Sequence, residues 1–240
     1  ITAEVMTLKG PSGIGMASMI DKAAQGDTRW NFTLAGSPDE VVAGFTGGDT
    51  VIAAMPTNLA SKLYAKTEGD IVMLAITNYG NLYLLQNENS GDAVTSLEDL
   101  RGKTIYATGQ GSNPQYILEY LLTQAGLTVG QDVQVEYKSE HSELAALMAS
   151  GEVNLAVLPE PFVTTVLQKN TQVVQRLDLN ELWGEATDGG QLTMTCVAAR
   201  RDFVETHPQF VADFLNELSQ SIDFALNDAT ATAQLCQTYE

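Results

Sequence analysis

The chain is short of positive charge. Twelve lysines and arginines stand against 30 aspartates and glutamates in 240 residues, a formal net charge of −18. No basic footprint exists to neutralise phosphates, which excludes a nucleic-acid partner and disfavours adsorption to an anionic membrane. The acidity itself serves solubility. No apolar run reaches the roughly 18–20 residues of a membrane span. No signal peptide is present, and the sequence starts abruptly at Ile1 in a strand-like segment, so a trimmed leader or anchor is expected. Two cysteines, Cys196 and Cys236, are too few for a disulfide scaffold or a zinc site. They leave two readings open: buried thiols, or one disulfide tying the C-terminal helix to a core strand, which would fit an oxidising compartment.

Catalytic signatures are missing too. The sequence has no P-loop, HExxH, CxxC or GxSxG. Gly109-Gln110-Gly111 opens like a dinucleotide fingerprint, but its third glycine would fall at Pro114. Of the two histidines, His207 precedes Pro208 at a helix start and reads as surface. His141 follows Glu140 in a strand–helix loop and is either a solvated loop residue or a ligand contact. No metal and no cofactor is expected.

What the chain does have is a repeat. Hydrophobic residues make up 44%, enough for an ordinary core, and the length suits one large domain or two lobes of roughly 100–120 residues. Ser12 and Gly26 recur as Ser112 and Gly126, an offset of 100 read without gaps. Glu40, Gly48, Ala53, Pro56 and Lys66 recur as Glu143, Gly151, Ala156, Pro159 and Lys169, an offset of 103. Short apolar runs alternate with helical periodicity in both copies, the signature of an α/β chain. The pattern predicts strands near 5–9, 31–35, 50–55, 71–79 and 82–86, then near 103–108, 133–137 and 154–158. It predicts helices from Ser12, Pro38, Pro114, Ser142 and Phe162. Thr193–Ala199 is an apolar strand with no counterpart in a simple two-copy chain, and reads as a return to the first lobe. Pro208 opens a long final helix with Phe210, Val211, Phe214, Leu215, Leu218 and Ile222 on its buried face, and a last helix spans about 229–239. Lobe 1 is therefore expected at 1–85 and 190–240, lobe 2 at 86–189, with hinge crossings near 83–88 and 186–192.

In α/β sheets ligands sit beyond the carboxyl ends of strands, where loops lead into helix N-termini. Two such loops match across the repeat: Lys9-Gly10-Pro11-Ser12 and Gly109-Gln110-Gly111-Ser112-Asn113. Their glycines allow close approach, and Ser12, Ser112 and Asn113 offer polar groups beside free helix N–H donors. A second matched pair, Met55-Pro56-Thr57-Asn58 and Leu158-Pro159-Glu160-Pro161, points Thr57, Asn58 and Glu160 toward the same cleft. Glu160 is a ligand contact, a latch, or simply a cap. A helix end supplies only about 0.3–1 kcal/mol toward an anion, whereas a micromolar ligand needs about 8 kcal/mol. The rest has to come from apolar burial, so a ligand with a flat or apolar body is expected, with Tyr79, Met55 and Met194 as its wall. Trp30 and Trp183 read as core.

Several motifs in order are similar to one family. Leu97-Glu98-Asp99-Leu100-Arg101-Gly102-Lys103-Thr104-Ile105 is followed by Gly109-Gln110-Gly111-Ser112 and by Leu122 through Gly126-Leu127. Ala145-Ala146-Leu147 through Gly151-Glu152-Val153 then leads to Glu160-Pro161. The combination resembles the SsuA/THI5-like (NMT1-like) substrate-binding proteins of ABC transporters. The resemblance covers most of the chain, with the first 80 residues matching by layout more than by motif. It implies an α/β, two-lobed type 2 periplasmic-binding-protein fold, each lobe a mixed sheet flanked by helices, with a ligand cleft between the lobes. It further implies a monomeric, extracytoplasmic protein, periplasmic or a cell-surface lipoprotein. Such a protein closes on a small organic molecule and docks to the permease subunits of an importer. Family ligands include alkanesulfonates, taurine, nitrate, pyrimidines related to thiamine, and flavins. This chain departs from a sulfonate binder in having no arginine in the cleft loops, where Lys9 reads as the sole basic residue. The alternative the resemblance leaves is an enzyme on the same fold, of the pyrimidine or menaquinone-precursor type, using His141.

Overall fold

The computed structural model describes residues 1–239. In chain order its strands are β1 (Ala3–Leu8), β2 (Trp30–Ala35), β3 (Ile52–Pro56), β4 (Ile71–Tyr79), β5 (Leu82–Asn87), β6 (Thr104–Ala107), β7 (Gln134–Tyr137), β8 (Leu155–Pro159), β9 (Val173–Asp178) and β10 (Thr193–Arg200). The helices are α1 (Pro11–Ala24), α2 (Pro38–Gly47), α3 (Thr57–Lys66), α4 (Asn113–Gln124), α5 (His141–Ser150), α6 (Phe162–Lys169), α7 (Leu179–Ala186), α8 (Arg201–Thr206), α9 (Pro208–Asn227) and α10 (Ala229–Tyr239). The chain divides into two units, Ile1–Asn78 with the segment from Thr193 onward, and Tyr79–Leu192. β5 lies in the second unit's sheet, so residues 82–85 belong there and not, as the sequence suggests, with the first.

The first unit carries a sheet of order β2-β1-β3-β10-β4. β1 runs parallel to β2 and β3, and β10 antiparallel to β3. Strand side chains alternate between faces. Val5, Ile52, Ala54, Val197 and Ala199 meet Met16 and Met19 of α1 and Phe214 and Leu218 of α9 on one side. Ala53, Met55, Cys196 and Ala198 meet Val41 and Phe45 of α2 and Ala60 and Leu63 of α3 on the other. Trp30 packs its ring 4.5 Å from Phe210 and 5.3 Å from Phe214, the core position expected of it.

That face assignment separates the cysteines. Cys196 is buried on the α2/α3 side, while Cys236 rides on α10, which packs on α1 and α9 on the other side. The disulfide reading is thereby corrected: the two cysteines are not joined to each other. Burial pushes the Cys196 thiol up to about 11, so it carries little thiolate at neutral pH.

The second unit repeats the plan. Its sheet has the order β7-β6-β8-β5-β9, with β6 parallel to β7 and β8, and β5 antiparallel to β8 and β9. Leu85, Ala156 and Leu158 pack on Leu144 and Met148 of α5 and Val163 and Val166 of α6. Helices α4 and α7 pack on each other. The run β1-α1-β2-α2-β3-α3-β4 thus returns as β6-α4-β7-α5-β8-α6-β9. In each sheet an antiparallel strand lies between the third and last strands of the run: β10 in one, β5 in the other.

The 103-residue offset holds in detail. Gly48 and Gly151 both end their helices in the left-handed conformation, at φ 85° and 81°, where a side chain would be strained. Pro56 and Pro159 end equivalent strands, and Lys66 and Lys169 end equivalent helices. The 100-residue offset does not hold at its start, because α1 has 14 residues and α4 has 12. Gly10 and Ser112 occupy the matching N-cap positions, and Ser12 lies inside α1, buried. The expected helix start at Ser12 and its pairing with Ser112 are therefore corrected. No described helix is long and apolar enough to cross a membrane.

Candidate functional site

Each unit gathers its polar loops at the carboxyl ends of its parallel strands. In the first, β1 leads through Lys9 into Gly10, whose φ of +94° is open to glycine and costly to other residues. Lys9 and Pro11 are exposed, and Ser12 is buried at the helix start. At the end of β3, the Thr57 hydroxyl donates to the carbonyl of Thr193 at 3.1 Å, tying α3 to the start of β10. Beside it the Oδ1 of Asn58 is buried without a hydrogen-bond partner among the described residues, an acceptor that ordinarily finds a donor. Met55 is fully buried in the core opposite Cys196, so it forms no ligand wall: the apolar end of this strand packs inward and lines no pocket. Met194 is also buried, whereas Tyr79 keeps 48% of its surface exposed.

In the second unit the β6–α4 loop is closed on itself. The Ser112 backbone N–H and hydroxyl both donate to the Gly109 carbonyl, at 3.0 and 2.9 Å, and the Gly111 N–H donates to Gln115 Oε1 at 2.7 Å. Gly109 and Gly111 both have positive φ, 73° and 79°. Gln110 and Gly111 are exposed, and Asn113 is buried as the first residue of α4. The carboxylate of Glu160 accepts from the Thr164 N–H at 3.1 Å and from its hydroxyl at 3.0 Å. That is a capping role on the first turn of α6, one of the three readings left open above.

His141 is the first residue of α5. Its Nδ1 lies 2.6 Å from the hydroxyl of Thr108, the residue just after β6, and its ring is 5.3 Å from that of Phe162, the first residue of α6. Three strand-end loops thus converge on one imidazole. Burial holds it below its ordinary value near 6.5, against the upward pull of Glu140. Between the lowered value and 6.5 the unfolded chain takes up a proton that the folded chain refuses, so His141 subtracts stability as pH falls through that window and nothing above it. Urea midpoints measured between about pH 7.5 and 5 are expected to fall less for His141→Gln than for the parent. An equal fall in both would overturn the assignment.

Thr108 and Phe162 carry no site role in the sequence pattern; only their positions beside Gly109 and Pro161 suggest one. Lys138, in the β7–α5 loop, is a basic residue of the second unit that sequence reasoning missed, 3.8 Å from Glu143 and 6.0 Å from the Tyr106 ring centre. Two surface grooves lie elsewhere. One, of about 380 Å³, is lined by Tyr64, Met73 and Arg201; the other, of about 310 Å³, by Gln86, Lys103 and Tyr106. Neither includes a residue of these loops. The described residues hold no cluster of metal-ligating side chains.

Against known folds the chain is similar to an ABC transporter protein from Parabacteroides distasonis, with 24% identity, a TM-score of 0.79, and coverage of 99% of this chain and 78% of that one. It is similar to the periplasmic aliphatic sulphonate binding protein SsuA from Escherichia coli at 18% identity and a TM-score of 0.75, covering 99% and 78%. The periplasmic nitrate-binding protein NrtA from Synechocystis PCC 6803 follows at 15% identity and 0.71, covering 98% and 65%. These likenesses establish the periplasmic binding protein fold. No curated protein matches the chain. The model of the NMT1-like family matches residues 16–239, nearly the whole length, and the chain therefore belongs to the NMT1-like family.

Proposed function

We propose that the chain is an extracytoplasmic solute-binding protein that captures a small organic molecule by lobe closure and delivers it to an ABC importer permease, acting as a monomer. The observation that carries this reading is the duplicated unit with polar, glycine-bearing loops at the carboxyl ends of the parallel strands in both copies. Membership of the NMT1-like family and the solute-binding neighbours support it. The contacts are assigned to Lys9, Gly10, Pro11, Thr57 and Asn58 from the first set of loops, to Tyr79 at the end of β4, and to Gln110, Gly111, Ser112, Asn113 and His141 from the second set. Glu160 acts through the cap it makes. A flat or apolar body with a polar or acidic group suits this set, since Lys9 and Lys138 are the basic residues these loops offer and neither presents an arginine fork.

A thermal-shift series of small organic acids, sulfonates, pyrimidines, flavins and aromatic amines tests the proposal. At least one compound is expected to raise Tm, since a ligand at 100 times its Kd adds about 2.7 kcal/mol. Ser112→Trp and Tyr79→Ala are each expected to weaken that compound at least about tenfold, about 1.4 kcal/mol. A series with no binder would overturn the reading. A binder indifferent to both substitutions would overturn the site. Turnover of a bound compound that depends on His141 would move the reading to an enzyme.

A further inference from the structure

The Thr108–His141 contact says more than that a histidine stands near the loops. Thr108 is 2% exposed, and among the described residues the one hydrogen-bond partner of its hydroxyl is Nδ1 of His141, at 2.6 Å. A buried hydroxyl hydrogen is costly to leave unpaired. The hydroxyl therefore donates, and Nδ1 accepts. A neutral imidazole that accepts at Nδ1 carries its hydrogen at Nε2. Nε2 makes no hydrogen bond to the described residues, and the ring is partly exposed. Phe162 packs against the ring and restricts its rotation.

We infer that Thr108 is a positioning residue that locks His141 into the Nε2–H tautomer, so that the second unit offers a bound solute one fixed hydrogen-bond donor and selects for an acceptor atom on it. The second half of this statement rests on the solute-binding reading; the first does not. Protonation would place a hydrogen on Nδ1 as well. Thr108 would then have to turn and accept, leaving its own hydrogen without a partner in a buried place. The groups around the ring agree with a neutral form: α6 presents Phe162, the end of β6 presents Thr108, and on the helix itself Glu143 faces Lys138. Glu140 is the one charged neighbour that favours protonation, and burial outweighs it. The donor is thus kept uncharged at neutral pH, which suits a carbonyl, a ring nitrogen or a carboxylate oxygen and rejects a group that can only donate.

The chain has two histidines, so two imidazole spin systems are expected, and His207→Gln assigns them. Long-range proton–nitrogen correlation spectra at pH about 7.5 should show His141 as a single Nε2–H tautomer. Thr108→Val is expected to give a tautomer mixture, and Thr108→Ser to restore the parent spectrum. A parent Nδ1–H tautomer, or a Thr108→Val spectrum with the parent's single tautomer, overturns the lock. Benzoate, which bears acceptors, is expected to shift the His141 Nε2 resonance, and benzylammonium, which can only donate, to leave it in place. The reverse pattern, or no shift with either, overturns the acceptor assignment. A compound from the thermal-shift series that raises Tm without moving His141 defeats the acceptor selection and leaves solute binding intact. A series with no binder defeats solute binding and leaves the tautomer result standing.

Discussion

Phe214→Ala is expected to destabilise the chain by about 3–5 kcal/mol, the range for emptying a large aromatic site in a core. Phe214 is fully buried on α9, at the point where that helix meets α1 and the sheet. Its ring stands edge-on to Trp30 at 5.3 Å and shares its pocket with Met16, Met19 and Val197. Aromatic pairs of this geometry contribute about 0.5–1.5 kcal/mol beyond the area they bury. The surrounding strands are tied into a five-stranded ladder, so the site has little freedom to collapse. Urea unfolding followed by circular dichroism measures the loss. Leu226→Ala, on the same helix but 78% exposed, is expected to change stability by less than about 0.5 kcal/mol. A loss at Phe214 below about 1.5 kcal/mol would mean that α9 does not hold the first sheet as described.

That helix was also the easiest element to read. Its apolar residues recur at helical spacing, Pro208 opens it, and the packing confirms the stripe, with Val211, Phe214 and Leu218 buried. The 103-residue offset was legible because its anchors are residues with backbone duties. Gly48 and Gly151 end helices in the left-handed conformation, and Pro56 and Pro159 end strands. The 100-residue offset misled because serine is equally at home as a cap and in a first turn. Only helix lengths of 14 and 12 residues reveal that Gly10, not Ser12, matches Ser112. β9 and α7 escaped for a different reason. The strand Val173–Asp178 holds Gln175, Arg176 and Asp178, which depress a strand signal. The ladder accepts Arg176 because its Nε donates to Gln86 Oε1 at 2.9 Å and its guanidinium pairs with Glu88. The site was legible as loops but not as side-chain orientations. Met55 stands one residue from the end of β3 and is buried under α2 and α3, whereas Tyr79 ends β4 and stays exposed, a tertiary difference with no local trace. Cys196 and Cys236 show the same limit: alternation places Cys196 on one face, and only the topology puts α10 on the other.

The β6–α4 loop allows the largest effect expected at the candidate site. A Cβ on Gly109 would stand 2.8 Å from Pro114 Cγ, 3.0 Å from Ser112 Oγ and 3.1 Å from Pro114 Cβ. A Cβ on Gly111, two residues later at nearly the same φ, would meet nothing within 4 Å. Gly111→Ala therefore carries only the strain of a left-handed alanine, about 1–2 kcal/mol. Gly109→Ala carries that strain and an overpacking cost of about 1–3 kcal/mol, because the proline ring is rigid and cannot swing aside. The expected losses are about 1–2 kcal/mol at Gly111 and about 2–5 kcal/mol at Gly109. The displacement also has a direction. The Gly109 carbonyl holds the Ser112 N–H and hydroxyl, so moving Gly109 off Pro114 pulls the N-cap of α4 out of place. Pro114→Ala in the Gly109→Ala background removes the Cγ contact and is expected to recover part of the loss, although alone it forfeits a well-placed first-turn proline. Urea unfolding of the four variants forms a double-mutant cycle on this one contact. Equal losses at the two glycines, or a cycle with no coupling, would show that the loop yields where the packing says it is held.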